Sequence, residues 1–578
     1  MTWERPVPLV GDTTSARQRR DAPRAWAFDP AERDAFYAAV QGRRDIRRFR
    51  PDDIEPEVLD RILGAAHAAP SVGHSQPWRF VVVRSTATRD RAALMADREW
   101  HRQAGAFAER AGRQMLDLQL HGIRDAPVGI VVCCDRRAAA QGVLGRATFV
   151  DADLWSCACA IENLWLAARV EGIGVGWVTL FEPEQLAALV GAPEGVETLG
   201  WLCLGWPDER PPEPGLERAG WSARQPLSDV VLEERWDDEG RPAPVSHLRA
   251  PEPASVVGAR DEADALLTPP GSLGALDRAV DRLGALGLPV DAPVTAVIAA
   301  AGHPVTRHGV STYDDGVTRE VLEATVAGES LGAVTARQVG ADVVAVDAGV
   351  PGEPVPGAVV CRPQGERGDL VSLDAMTRPD VETLVAAGRE LAEGLGPRIV
   401  ALGEVGIGNT TVAAALVASR LGLQADDAVG LGAGGDHATL DRKRATVEAA
   451  LARVARAHGD ELADPVIALA ALGGPEVAYL TGVVLGAAAA GSLVVVDGLV
   501  TAAAALAAVA IEPAVAAHLV AGQESREQAH RAVNASLGLE PLLSLRLRSG
   551  EGVGALLAVQ LLQTASAVRA QAGRVTEP

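Results

Sequence analysis

Residues 398–416 read RIVALGEVGIGNTTVAAAL. Arg398–Leu402 is a short apolar run of strand type, GEVGIGNTT is a glycine-rich turn, and the alanine-rich run after it is helical. Such a turn, here with Gly406 and Gly408, lets backbone N–H groups approach a phosphate at the positive end of the helix. Asn409, Thr410 and Thr411 can cap that helix and donate to the same ligand. Many such turns only pack tightly, so one alone decides little. A second, GLGAGGD at Gly430–Asp436 with Gly434 inside it, repeats the layout. Around them, strands at Val294–Ala300, Asp342–Val346, Arg398–Leu402 and Ser492–Val496 alternate with alanine-rich helices. That alternation predicts a parallel sheet covered by helices, with a nucleotide or sugar phosphate at the carboxyl edge of the strands.

The chain has 578 residues, too many for one ordinary domain. Its 48% hydrophobic and 22% charged residues place it among globular proteins. The net charge of -22 argues against nucleic-acid or anionic-membrane partners. The six cysteines lie mostly in apolar runs without metal-ligand spacing, which predicts reduced thiols, no metal and a cytoplasmic protein. Residues 481–511 are long enough to span a bilayer, but alanine and glycine dominate and Asp497 falls mid-span. A helix, a buried strand and a second helix is the better reading. Composition suggests an N-terminal arm at 1–30, a mixed domain at 31–236, a linker at 237–256 with four prolines, and a second domain at 257–575.

The first domain mixes helices at Ala31–Gln41, Glu55–His67 and Asp151–Glu171 with strands at Trp78–Val83, Val128–Cys134 and Gly174–Phe181. Its chemistry gathers in RRDIRRF (Arg43–Phe49) and AHAAPSVGHSQPWRF (Ala66–Phe80). Arg43, Arg44 and Arg47 can fork onto a phosphate, although most basic clusters are solvated charge runs. Ser71 and Gln76 are small polar groups suited to a flavin ring or ribityl chain. From the residues alone, Asp45 among arginines reads first as an ion-paired acid, with a proton shuttle the rarer alternative. In the second domain, Glu551 lies between Gly550 and Gly552 just ahead of a helix. It reads either as a dipole-stabilised terminal acid or as a carboxylate facing a pocket.

These segments, with VLGR (Val143–Arg146), CAIENLWLAARVEGIGVGWVTLF (Cys159–Phe181), LCLG (Leu202–Gly205) and RAGWSARQPL (Arg218–Leu227), resemble the dimethylbenzimidazole synthases of the flavin-dependent nitroreductase superfamily. The resemblance implies an α+β nitroreductase-like FMN domain. It implies that reduced FMN is consumed as substrate with O2, that Asp45 and Thr179 act at the flavin, and that Arg146 and Gly176 join Arg43, Arg44, Arg47, Ser71 and Gln76 in holding it. Thr179 stands where that family usually has serine, and His74-Ser75 where it has a bulkier apolar pair.

The second half resembles the nicotinate-nucleotide:dimethylbenzimidazole phosphoribosyltransferases. The matching segments include PPGSLGALD (Pro269–Asp277), GVSTY (Gly309–Tyr313), GEVGIGNTT, GGPEVAYLTGVVLGAA (Gly473–Ala488), VVVDG (Val494–Gly498), ESREQAH (Glu524–His530) and LRSGEGVGALLA (Leu547–Ala558). This implies an α/β Rossmann-like parallel-sheet domain with a small helical subdomain. It also implies Glu551 as general base, Glu404 as a second carboxylate, and Gly406, Gly408, Asn409, Thr410, Gly434, Asp497 and Gly552 around the substrate. Leu431, Ala433, His437, Thr268, Val553 and the segment GHPVTRHGVS (Gly302–Ser311) depart from that family's pattern.

The two resemblances together imply a bifunctional enzyme of cobalamin lower-ligand biosynthesis, at least dimeric, served by a flavin reductase. An ordinary NAD(P)H-dependent nitroreductase joined to a degraded nucleotide- or base-binding module is the alternative.

Overall fold

The structure is a computed structural model that describes residues 11–118, 122–236, 246–248, 251–269, 271–432 and 436–575. Gly434 and most of the expected linker lie outside the described residues. The chain divides into two compact units, Trp26–Arg241 and a second made of Met1–Ala25 with Pro242–Pro578.

The first unit is built on a four-stranded antiparallel sheet of β1 (Trp78–Val83), β2 (Val128–Asp135), β3 (Gly174–Val178) and β4 (Val196–Gly205) in the order β1-β2-β4-β3. β2 is apolar along nearly its whole length because both sheet faces are covered. Val128, Ile130 and Val132 face the core under the helices Pro56–His67 and Ala152–Val170. Val131 and Cys133 face Ala92, Ala93 and Ala96 of the helix Thr86–Ala106. The strand expected over Gly174–Phe181 ends at Val178. There the Phe181 N–H turns back to the Thr179 carbonyl at 2.9 Å and Thr179 is exposed. Cys133, Cys134, Cys157 and Cys203 are buried free thiols, whereas Cys159 is exposed.

The second unit carries six parallel strands, β5 (Val294–Ala300), β6 (Asp342–Asp347), β7 (Val359–Val360), β8 (Ile399–Val405), β9 (Leu493–Val496) and β10 (Leu519–Ala521). Their order is β10-β9-β8-β5-β6-β7. Alternate residues of β5 feed two cores, Val297 and Ala299 on one side and Ala296, Ile298 and Ala300 on the other. The chain runs outward from β5 to β7, then returns to β8 on the opposite flank of β5. The strand order therefore reverses between β5 and β8, where open parallel sheets have a ligand crevice at their carboxyl ends. Residues 481–511 fold into the end of the helix Pro475–Ala489, then β9, then the helix Leu499–Ile511, buried almost throughout. Among the described residues one helix, Val553–Gln571, is long and apolar enough to cross a membrane, and half of it is buried within the unit.

Within the segment read as an arm, Ala16–Asp21 is a helix with a capping box from Ser15 and Gln18. Arg19 Nη2 donates to Asp264 Oδ2 at 2.9 Å, at the end of the helix Pro253–Asp264. Beyond the undescribed stretch, the N–H groups of His247 and Leu248 donate to Glu512 Oε2 at 2.7 and 3.2 Å.

Candidate active sites

In the first unit, the RRD segment lies against β3. Asp45 forms a parallel bridge with Val175, and the Ile46 N–H donates to the Val175 carbonyl at 2.9 Å. The approach needs glycine at 176, because a Cβ there would collide with the Ile46 carbonyl oxygen. Asp45 Oδ1 accepts the Trp177 N–H at 3.1 Å, and Oδ2 accepts from Arg47 Nη2. Crowding by the protein raises the Asp45 pKa, and the Arg47 charge opposes that rise. Yet 40% of the side chain still meets solvent, so the carboxylate remains open to a ligand. Thr179 lies two residues beyond Trp177 along the chain leaving β3. Asp45, Arg47 and Gly176 are thus one contact set.

Ser71 and Gln76 form a second set. The Gln76 N–H donates to Ser71 Oγ at 3.0 Å, and Gln76 Nε2 is 3.1 Å from His74 Nε2. His74 and Gln76 both have left-handed backbone, φ 54° and 47°. Strain of this kind in non-glycine residues concentrates at ligand sites. The loop packs on the VLGR segment, since a Cβ at Gly73 would sit 2.9 Å from the Leu144 nitrogen.

The remaining arginines are placed differently. Arg43 stacks over Trp165 at 4.6 Å and lies 3.5 Å from Glu162. Arg44 donates to the carbonyls of Gln41, Arg43 and Pro212 at 2.7–2.8 Å, leaving Nε buried without a partner among the described residues. Both line a cleft of about 960 Å³ with Trp165, Arg169, Trp206 and Glu209. Arg146 is buried, bound to the Ala138 carbonyl and Asp153 at 2.8 Å each. Its contacts hold the protein together around the loop.

The second unit places its acids at the β5/β8 reversal. Glu404 is near the end of β8, level with Ala299 of β5. The Glu551 N–H donates to the Glu404 carbonyl at 2.9 Å, which ties the two turns together. Glycine at 403 permits this, because a Cβ would lie 2.6 Å from the Glu551 carbonyl carbon. Glu551 has φ 63°. Its Oε2 accepts the Gly332 N–H at 2.9 Å, in the first turn of the helix Leu331–Gln338. Glu551 thus meets the N-terminus of a helix other than the one it precedes, and its Oε1 has no protein donor among the described residues. Gly552 caps the helix Val553–Gln571.

Asn409 Nδ2 donates to Glu404 Oε2, and the helix Asn409–Leu421 starts after Gly408 with φ 91°. Burial pushes Glu404 up to about 8, aided by Asp497 and Glu476 and opposed by Asn409. Asp497 is raised to about 7 by burial, against donors from Gln523 and the start of the last helix. Gln523 Nε2 and the Ala555 N–H reach its Oδ1 at 2.8 and 3.2 Å. Asp497 thus orients the turn carrying Glu551 from beneath. No group of three or more potential metal ligands occurs among the described residues.

Motif reading alone overlooks Lys443. Its Nζ donates to Thr410 Oγ1 at 3.2 Å and faces the Gly430 carbonyl at 3.4 Å, between the two glycine-rich turns. Burial lowers its pKa, and Glu527 opposes this. A signal was present: Lys443 is the only lysine among 54 Lys and Arg residues.

An antiparallel α+β unit with a carboxylate-arginine cleft and a parallel-sheet unit with paired acids at its reversal point define a flavin-type fold joined to a nucleotide-transfer fold. Known proteins bear this out. Residues 40–206 match the nitroreductase family and residues 248–577 the phosphoribosyltransferase family. A 5,6-dimethylbenzimidazole synthase of Rhodospirillum rubrum is 42% identical over 208 residues, 34% of this chain and 94% of that protein. A nicotinate-nucleotide--dimethylbenzimidazole phosphoribosyltransferase of Pseudomonas putida is 38% identical over 332 residues, 56% of this chain and 93% of that protein. The crystal structure of CobT from Thermus thermophilus aligns with TM-score 0.51 and 38% identity, covering 55% of this chain and 96% of that one. The chain belongs to the nitroreductase family, with the dimethylbenzimidazole synthases, through its first unit and to the phosphoribosyltransferase family through its second.

Proposed function

We propose that the chain is a bifunctional enzyme of cobalamin lower-ligand biosynthesis. The first unit fragments reduced FMN with O2 to 5,6-dimethylbenzimidazole. The second transfers phosphoribose from nicotinate mononucleotide to that base, giving α-ribazole 5′-phosphate and nicotinate. The observation that carries the reading is the pairing: relatives of the two units cover over nine-tenths of their own lengths, and both are named for dimethylbenzimidazole.

The residues of the first unit fit a flavin. An open carboxylate beside Arg47, a strained polar loop and an arginine-lined cleft supply the groups that a phosphate, a ribityl chain and a polar ring edge need. Arg43 and Arg47 hold the anion, Ser71 and Gln76 hold the polar edge, and Arg44 and Arg146 brace the backbone around them. When bound, reduced FMN supplies the electrons for O2 and the carbon skeleton of the product. Asp45, at the mouth of the site, holds and moves a proton there, with the Thr179 hydroxyl next along the same strand end.

In the second unit, Glu551 is the general base. Gly332 fixes Oε2, so Oε1 takes the imidazole proton while the other ring nitrogen attacks ribose C1. The C1 bond to nicotinate breaks with inversion. Glu404, protonated near neutral pH, donates a hydrogen bond to the ribose. Lys443 and the N–H groups of the two turns hold the phosphate. The chain acts in the cytoplasm with a flavin reductase as electron source. It is a dimer at least, consistent with the large exposed apolar side chains Phe36, Tyr37, Leu144, Phe149 and Trp155.

The test supplies reduced FMN, O2 and nicotinate mononucleotide to the full chain and reads products by mass. Dimethylbenzimidazole and its ribotide are expected, and the absence of both sinks the reading. Asp45→Asn should bind FMN yet make little base, and Glu551→Ala should abolish transfer with an unchanged circular-dichroism spectrum.

A further inference from the structure

Behind Glu404 lies a second acid that the transfer chemistry above does not use. Glu476 follows Gly473, Gly474 and Pro475 at the start of the helix Pro475–Ala489 and is wholly buried. Its Oε1 is 3.1 Å from Nε2 of His303, which is also buried. The contact has ion-pair distance without hydrogen-bond alignment, and neither carboxylate oxygen has another protein donor among the described residues. A buried carboxylate left this bare is costly unless a charged neighbour compensates it. Such groups concentrate where a site needs a set charge.

Glycines on both sides make room for the pair. A Cβ at Gly474 would lie 2.5 and 2.7 Å from the Glu476 oxygens, and one at Gly406 would lie 2.9 Å from His303 Nε2 and 3.2 Å from Asn409 Cβ. Gly406 belongs to the turn that carries Glu404 and Asn409. His303 stands three residues past β5, and Glu404 ends β8, so the pair backs onto the sheet reversal itself. The polar and charged groups around it come from four segments. Glu404 and Asn409 are on the β8 turn, Asp497 follows β9, and Glu551 precedes the last helix. Arg367, in the loop before the helix Arg378–Leu395, attracts Glu476 electrostatically.

We propose that His303 and Glu476 are a positioning pair for phosphoribosyl transfer: the imidazole fixes and partly neutralises the Glu476 carboxylate, and so sets the pH at which Glu404 exchanges its proton. The proposal rests on the transferase reading of the second unit. Glu476 supplies negative charge behind Glu404, and His303 limits how much of that charge Glu404 meets. Neither residue touches the substrate.

The two residues therefore predict shifts of opposite sign. In the full-length protein, Glu476→Gln removes the negative neighbour, so the Glu404 midpoint should fall by on the order of one pH unit. His303→Gln leaves that charge uncompensated, so the midpoint should rise. Two readouts report it: the pH profile of kcat with nicotinate mononucleotide and dimethylbenzimidazole, and infrared titration of the Glu404 carboxyl band, assigned with Glu404→Gln. The infrared arm needs no turnover. Should the wild type fail to transfer while the opposite shifts remain, the transferase reading falls and takes the pair's role in transfer with it, leaving only its electrostatic coupling to Glu404. Midpoints that stay put, or move in the same direction, with only kcat or thermal stability reduced, overturn the pair. If a glutamine variant loses its circular-dichroism spectrum, His303→Asn and Glu476→Asp carry the same comparison, the aspartate lowering the midpoint less than Glu476→Gln.

Discussion

At the scale of single residues, the acids of the second unit differ through their surroundings. Glu404 holds its proton up to about pH 8, whereas an unfolded chain ionises near the ordinary value of 4.5. Between those values the folded protein binds the proton and the unfolded chain does not, so stability falls as pH rises through this window. Each pH unit of the window removes about 1.4 kcal/mol, and above pH 8 the loss is constant. Glu404→Gln should therefore unfold at nearly the wild-type temperature at pH 5. At pH 8.5 it should unfold later, by an advantage on the order of a few kcal/mol. Equal melting curves at pH 8.5 would show that folding does not raise the Glu404 pKa. Motif spacing singles out residues 404, 409 and 551 as candidates, because each sits in a glycine-rich turn. His303 follows a strand, Glu476 opens a helix and Lys443 lies within another, far apart in sequence; the segments holding the first two stand out in the sequence, but not the fact that they meet. Nor does residue type reveal that Arg44 and Arg146 spend several donors on backbone carbonyls and Asp153.

At the scale of elements, period and composition expose most of the skeleton. The helix over Ala152–Val170 and the strands over Trp78–Val83, Val128–Asp135 and Val294–Ala300 carry their burial pattern in plain view. The helix Thr86–Ala106 does not, because its buried stripe is Ala92, Ala93 and Ala96 rather than large apolar residues. Nor does any pattern predict that β8 and the turn at 550–552 touch. That contact depends on Gly403, whose Cβ would fall 2.7 Å from the Gly552 nitrogen. Gly403→Ala should push the Glu551 turn away from the crevice. A displacement of about 1 Å is worth on the order of 100-fold in kcat. Steady-state kinetics with an unchanged affinity for nicotinate mononucleotide would bear this out, and wild-type turnover would exclude it.

At the scale of the whole molecule, the second unit is discontinuous in sequence. The helix Ala16–Asp21 bonds to Asp264, and His247 and Leu248 bond to Glu512. The first unit is thereby inserted between two segments that belong to the second. Each unit nonetheless has its own sheet and its own cores. Polypeptides 26–241 and 242–578 made separately should keep their own turnover to within about twofold. Loss of transfer by the second alone would show that residues 11–25 contribute more than anchorage. The lone lysine has a further consequence. Apart from the chain's amino terminus, Lys443 Nζ is the one primary amine of the protein, and it is buried. Acetylation, glycation, carbamylation, aldehyde fixation and ubiquitin attachment all need such an amine. They find almost no purchase on this chain, because the one side chain they could reach is buried between the two glycine-rich turns.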